Sequence, residues 1–522
     1  MMKYLLVTGE LAKDYVRKYA LEAGIDFDLL VIPFPVAALL TPKMIIRYLR
    51  KLDLTKYDMI LLPGLIRGSS KEVEEVVGIP TYKGSKDAAD LPLVIEYIKR
   101  GGRLSHEIPA CELIKLDRYK SFENDYNKYL SIGLSNLGRE PYIRLRNLYI
   151  SKVLPIRIAA EIIDAPKLSK NGLARRVKYY VNSGADIIDI GMIAGEDNSK
   201  KIGDIVRVVR SVTDAPLSID TLNVNEIEEA VKHGVDMIVS LDKSSIIELH
   251  DIVKDKVCVL IPFDYKENYF PEDPYERVKA MEECVETALK YGVKNILCDL
   301  IVNPLNSPSL IDSLVSFYTF TRRRPGIQLF MGIGNVTELL DADSPGVNAL
   351  LVGLAYELGV SIILTTEASD KTRGCIKEVS KAVKMMYVAK MKKVFPKNLG
   401  LDMLFFKEKK AYRFKYDLDL CSNIVDISRR TRSKITVDRC GFFKIWIDWD
   451  NNRICVMHYS LKTPNKCDIA ICGEKAEDIC QEIIARGLIS EPTHIAYLAR
   501  ELEKAEIALK TGRSYIQDQE VF

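Results

Sequence analysis

No apolar run in these 522 residues approaches the ~20 needed to cross a bilayer, which excludes a helical membrane protein. An excess of one charge is missing as well. Lys and Arg number 75 against 72 Asp and Glu, so nothing advertises a nucleic-acid surface. The opening residues Met1-Met2-Lys3-Tyr4-Leu5-Leu6-Val7 run straight into a strand pattern closed by Thr8-Gly9, without the apolar core and cleavage site of a secretory signal. No Cys-x-x-Cys occurs, and the 11 cysteines are odd in number. They are expected as reduced core thiols, not as a disulfide framework. A cytoplasmic location follows as the expectation. What is present is ample core: 48% of residues are hydrophobic and 28% charged, the balance of a globular chain of several domains.

Strand and helix signals alternate from the start. Tyr4–Val7, Leu29–Ile32 and Met59–Leu62 read as short buried strands, the last closed by Pro63-Gly64, with helical spacing over Leu11–Ala23. That alternation implies an open parallel α/β sheet over 1–135. Residues 120–150, rich in Tyr, Asn, Ser and Arg, read as a connector. Over 150–392 strand and helix repeat eight times. The strands are Ile156–Ile162, Asp186–Ile190, Leu217–Ile219, Met237–Val239, Val257–Ile261, Ile296–Leu300, Leu329–Met331 and Ile362–Leu364. Gly184, Gly234, Gly292 and Gly359 stand where helices need a left-handed cap. Eight such units predict a (β/α)8 TIM barrel. Over 396–522 the pattern becomes a small α+β domain, with a hairpin of Phe442–Trp449 and Ile454–Tyr459 about Asp450-Asn451-Asn452.

A barrel of this kind places its site where strands end and βα loops begin. Those positions hold Glu161 and Asp164, Asp189 and Gly191, Asp220 and Thr221, Ser240 and Asp242, Asp264, Asp299 and Asn303, Asn335, and Thr365, Thr366 and Glu367. The mouth is rich in carboxylates and amides, poor in Lys, Arg and His, and has no nucleophile triad. Such a lining suits a donor-rich heterocycle such as a pterin, whose amino and ring N–H groups a carboxylate accepts in pairs. It argues against a polyphosphate ligand. Some of these carboxylates would serve merely as helix caps, Asp164 and Asp242 above all. A metal is not expected, since no histidine joins the set.

Gly184-Ala185-Asp186-Ile187-Ile188-Asp189-Ile190-Gly191 followed by Ser218-Ile219-Asp220-Thr221 resembles the pterin-binding barrel superfamily of dihydropteroate synthases and methyltetrahydrofolate-type corrinoid methyltransferases. With a domain on each side of the barrel, the chain is similar to the archaeal dihydropteroate synthase-related proteins. The resemblance implies that Asp220 and Asp299 contact the pterin; Glu161, Asp189, Asn303 and Asn335, at the ends of their strands, are expected to complete the pocket, as is Ser240, where the family usually has Asn. The cations that synthases use for pyrophosphate and arylamine are replaced by Met192–Asn198, Gly334-Asn335-Val336 and Leu364. Asp299-Leu300-Ile301-Val302-Asn303 and Gly332-Ile333-Gly334-Asn335 are similar to the methyltransferase branch, where the Asn lies near pterin N5. The resemblance thus implies a transferase with Asp299 and Asn335 catalytic, taking a methyl group from a reduced pterin of tetrahydrofolate or tetrahydromethanopterin type. It also implies a corrinoid protein as partner and a homodimer. Synthase-type condensation and pterin binding without catalysis are the alternatives.

Two smaller features complete the reading. Pro63–Ser70 and Lys83-Gly84-Ser85-Lys86 could cradle an anion, although such loops are mostly tight turns. Cys455, His458, Cys472 and His494 match no metal spacing and are expected to be structural. Trp446 and Trp449 are expected on opposite faces of the hairpin, one of them in the core.

Overall fold

The computed structural model describes residues 2–405 and 438–521. Residues 406–437 of the α+β stretch expected at 396–522, Cys421 among them, lie outside the described residues. The chain forms two compact units, Met1–Thr365 with Ile376–Arg413 and Thr366–Cys375 with Phe414–Phe522.

The first unit begins with four parallel strands, β1 (Lys3–Gly9), β2 (Asp26–Ile32), β3 (Met59–Leu62) and β4 (Thr81–Lys83), in the order β2-β1-β3-β4. The fourth strand was not legible in the sequence; at three residues it is too short to show alternation. Leu5, Val7, Ile60 and Leu62 pack against one layer of helices and Tyr4, Leu6 and Leu61 against the other, as the period of two requires.

The connector reading of 120–150 is corrected. A helix runs over Ala110–Ser135, and a hairpin follows as β5 (Ile143–Leu145) and β6 (Leu148–Ile150). The helix escapes a periodicity reading because it buries only Ala110, Ile114, Phe122 and Gly133 fully. It is held instead by single contacts, Tyr387 Oη donating to Tyr129 O at 3.0 Å and Lys384 pairing with Glu123 at 3.4 Å. The hairpin closes the barrel from below. Ile143, Leu145 and Ile150 share one apolar cluster with Ala159, Ile187, Met237, Val259, Leu297, Phe330 and Ile362 from inside the barrel.

The barrel itself is closed and parallel, as expected. Its strands are β7 (Arg157–Ile162), β8 (Ile187–Gly191), β9 (Leu217–Asp220), β10 (Met237–Leu241), β11 (Val257–Leu260), β12 (Asn295–Cys298), β13 (Gln328–Gly332) and β14 (Val360–Thr366), β14 pairing back to β7. Gly184, Gly234, Gly292 and Gly359 all have positive φ, between 75° and 102°. No helix among the described residues is long and apolar enough to cross a membrane.

The second unit holds an antiparallel sheet of β15 (Phe442–Asp448), β16 (Arg453–Tyr459) and β17 (Ile469–Gly473), covered by the helices Ala476–Ala485 and Pro492–Thr511. Trp449 packs against this core and under the Arg373 guanidinium at 4.4 Å, while Trp446 is exposed. The expectation of reduced thiols fails at one pair. Cys455 and Cys472 face each other in the β16–β17 register and form a disulfide. Sequence spacing could not show this, because it depends on which strands become neighbours.

Candidate active site

Adjacent strands β7, β8 and β9 bring Glu161, Asp189 and Ser218 into one row, since Glu161 pairs with Asp189 and Asp189 with Ser218 in register. Asp220 follows at the end of β9. One oxygen each of Glu161, Asp189 and Asp220 lies within 4.8 Å of the others. Among the described residues this is the group whose geometry could also hold a cation.

Each carboxylate is placed by a specific neighbour. Gly191 leaves room for Glu161, since a Cβ there would fall 2.6 Å from Oε1. Ser218 Oγ donates to Asp189 Oδ1 at 2.5 Å, and Asp189 Oδ2 is buried with no hydrogen-bond partner. Ser240, at φ 67°, turns its hydroxyl onto Asp220 Oδ1 at 2.7 Å. Asp299 Oδ1 accepts from the Ile301 N–H at 2.8 Å. Asn335 Nδ2 donates to Val302 O at 2.9 Å, which ties the loop after β13 to the loop that carries Asp299.

Burial dominates the electrostatics. It raises Glu161 to about 7, helped by the charges of Asp220 and Asp164. Burial raises Asp299 to about 7 as well, opposed by the Ile301 N–H and assisted by Asp220. Asp189 is pushed well above the carboxylate range by burial, then by Asp220 and Glu161. Asp220 rises through burial against the Ser240 hydroxyl. No cation lowers Asp189, Asp220 or Asp299 among the described residues. Near neutral pH Glu161 and Asp299 can therefore exchange protons with a ligand, which an ordinary surface carboxylate cannot.

The remaining sequence candidates divide. Asp242 caps the helix Lys243–Val253 through Ser245 and also accepts from Tyr265 N at 2.9 Å, a structural role. Asp164 pairs with Lys167 at 2.7 Å, and Asp264 accepts from the N–H groups of Lys266 and Glu267 in its own turn. Asn303 is buried, and its Nδ2 donates to Ser309 O at 3.5 Å within its own loop. Arg277 escaped the sequence reading, since an arginine in a helix looks like a solvated face. It is fully buried, stacks on Phe270 at 4.4 Å, and donates to Pro271 O, Glu272 O, Ile301 O and Ser313 Oγ. It thereby anchors the loop after Asp299. His458 Nε2 donates to Cys440 O, and His494 meets Asp438 at 3.0 Å, so neither joins a metal set with the disulfide-bonded Cys455 and Cys472.

Comparison with known proteins meets this geometry. Residues 164–363 match the family model described as pterin binding enzyme. Uncharacterized protein MJ0107 of Methanocaldococcus jannaschii is 37% identical over 538 residues, covering 100% of this chain and 99% of its own. The chain belongs to that family, and its barrel to the pterin-binding enzymes. The pterin-binding barrel is flanked by matches to a family of unknown function, DUF6513, over 2–86 and to PterinBD-DUF4346 over 437–518. Two solved dihydropteroate synthases are among the structures found to be similar. That of Yersinia pestis with a pterine-sulfa conjugate is 14% identical at TM-score 0.39, covering 48% of this chain and 99% of its own. That of Coxiella burnetii in complex with pteroic acid is 18% identical at TM-score 0.39, with the same coverage of 48% and 99%.

Proposed function

We propose that this pterin-binding barrel takes a methyl group from N5 of a reduced pterin of tetrahydrofolate or tetrahydromethanopterin type and passes it to a corrinoid on a partner protein. The observation that carries the reading is Asp299, a buried carboxyl raised to about 7 on a loop stitched to Asn335 through Val302. When the N5–methyl bond breaks, the methyl leaves without the bonding electrons and the pair stays on N5, which then needs a proton. A carboxyl that is half protonated near neutrality supplies it, and Asn335 orients the ring. Glu161, Asp220, Ser240 and Asn303 accept from or donate to the pterin edge. Asp189 is fully buried behind Ser218 and acts as a positioning residue.

Condensation with an arylamine would have to discharge pyrophosphate, and no cation stands beside Asp189, Asp220 or Asp299 among the described residues to hold it. The same reading expects a homodimer, a cytoplasmic location and domains over 1–135, 150–392 and 396–522. The test is calorimetric titration of the full chain with methyl-tetrahydropterin and, separately, dihydropterin pyrophosphate. The methylated ligand should bind more tightly, and Asp299→Ala should weaken it about tenfold or more. Preference for the pyrophosphate would restore condensation, and silence with both ligands would remove the pterin reading altogether.

A further inference from the structure

We infer that the N-terminal sheet carries a second binding site, for the phosphoryl group of a small soluble molecule, built around Lys83 at the carboxyl ends of β3 and β4. It does not depend on the reaction proposed for the barrel.

Lys83 closes β4 directly beside Leu62, the last residue of β3. It is only 8% exposed. Its ammonium donates to Ile66 O at 3.3 Å, with no second acceptor and no carboxylate among the described residues. An ammonium has three donors and a full charge, so one carbonyl leaves two donors and the whole charge uncompensated. Arg277, the other deeply buried Lys or Arg among the described residues, shows what compensation looks like: three carbonyls, a hydroxyl and the Phe270 ring. Lys83 has nothing comparable.

Its position is the one where open α/β sheets hold ligands. In the order β2-β1-β3-β4 the chain reverses direction across the sheet between β1 and β3. The helix after β1 packs on the Tyr4, Leu6 and Leu61 face, and the helix after β3 on the Leu5, Val7 and Leu62 face. The loops leaving β1 and β3 therefore lead to helices on opposite faces, the topology at which open α/β sheets bind ligands along their carboxyl edge. The loop after β3 offers N–H groups at Leu65, Arg67, Gly68 and Ser69 that have no backbone acceptor among the described residues. Gly64 and Gly84 let this loop and the one after β4 run backbone against backbone, since Cβ atoms there would fall 2.6 Å from Ser85 O and 2.9 Å from Leu62 O. Loop amides without a backbone acceptor and an ammonium held by the same loop through Ile66 O supply the donor set of an oxyanion cradle. Glu72 opposes it from the rim, its Oε1 3.4 Å from where a Cβ on Gly68 would lie.

The full chain should be titrated calorimetrically with inorganic phosphate and with adenosine 5′-monophosphate, in low salt free of other oxyanions. Saturable binding is expected, weakened about tenfold or more by Lys83→Met and tightened about two- to fivefold by Glu72→Gln, which removes a repelling charge. Tighter binding of the nucleotide would mark the site as one for a phosphate ester, and equal binding as one for the free ion. Affinity for methyl-tetrahydropterin should be the same in all variants, so failure here is separable from failure of the barrel reading. Absence of saturable binding to both probes would overturn the inference, as would wild-type affinity in Lys83→Met. Should that variant fail to fold by circular dichroism, Glu72→Gln decides, and an unchanged affinity there would overturn it equally.

Discussion

Asp438 in the C-terminal unit and Asp189 in the barrel are both closed to solvent, at 2% and 0% exposure, yet their surroundings are opposite. Burial pushes Asp438 up, but donors from Ser490, Glu491 and Cys440 overcome it and hold the carboxyl well below its usual range, with His494 Nδ1 3.0 Å away. Asp189 has a single donor, Ser218, and one bare oxygen, and it is driven upward by burial and by its acidic neighbours. A buried carboxylate with a full donor shell fastens the chain. One with an incomplete shell stores unfavourable energy that a ligand, a proton or a cation can relieve, which is how functional sites differ from structural ones.

The contrast can be broken at three points. The largest effect belongs to Asp299→Asn, which keeps shape but removes the exchangeable proton. Methyl-transfer rate should fall by about 10²–10⁴ in single-turnover kinetics, with thermal stability unchanged or raised. In the wild type, the proton-donating form is lost as pH rises through about 7, so the rate should decline on the alkaline side of that value. Next comes Asp438→Asn, which leaves at least one donor facing another donor. It should cost about 2–4 kcal/mol in urea unfolding followed in the C-terminal unit, without altering pterin affinity. Because the folded value of Asp438 is lowered, its contribution is fully present above about pH 4 and fades as pH falls below it. The smallest effect, and the one of opposite sign, is Asp189→Asn. A carboxyl with a raised folded value is harmless below its unfolded value and increasingly destabilising as pH rises from there to the folded value. The variant should therefore match wild type below about pH 4 and grow more stable than it as pH rises above that, measured as a shift in Tm across pH.

Much of this was legible in the sequence because the barrel is a periodic object. All eight barrel strands lie within one to two residues of their expected bounds, and their ends deliver Glu161, Asp189, Asp220 and Asp299 to one mouth. What stayed hidden depends on neighbours distant in the chain. The hairpin Ile143–Ile150 looks like a polar linker until the barrel floor gives its three apolar residues something to cover. Cys455 and Cys472 meet only through β16–β17 pairing. Arg277 reads as solvated until the loops of Phe270 and Ile301 close over it. Asp242 stands at the right strand end, but its side chain is committed to the helix and loop beside it. Position along a strand tells where a side chain begins, not which donors will reach it.

The most direct test of the central claim is infrared difference spectroscopy of the carboxyl carbonyl stretch across pH, with wild type and Asp299→Asn compared. A protonated carboxyl that persists to about pH 7 in the wild type, is absent from the variant and shifts on adding methyl-tetrahydropterin is the expected result. Complete ionisation of every carboxyl below about pH 5, the ordinary carboxylate behaviour, would contradict it.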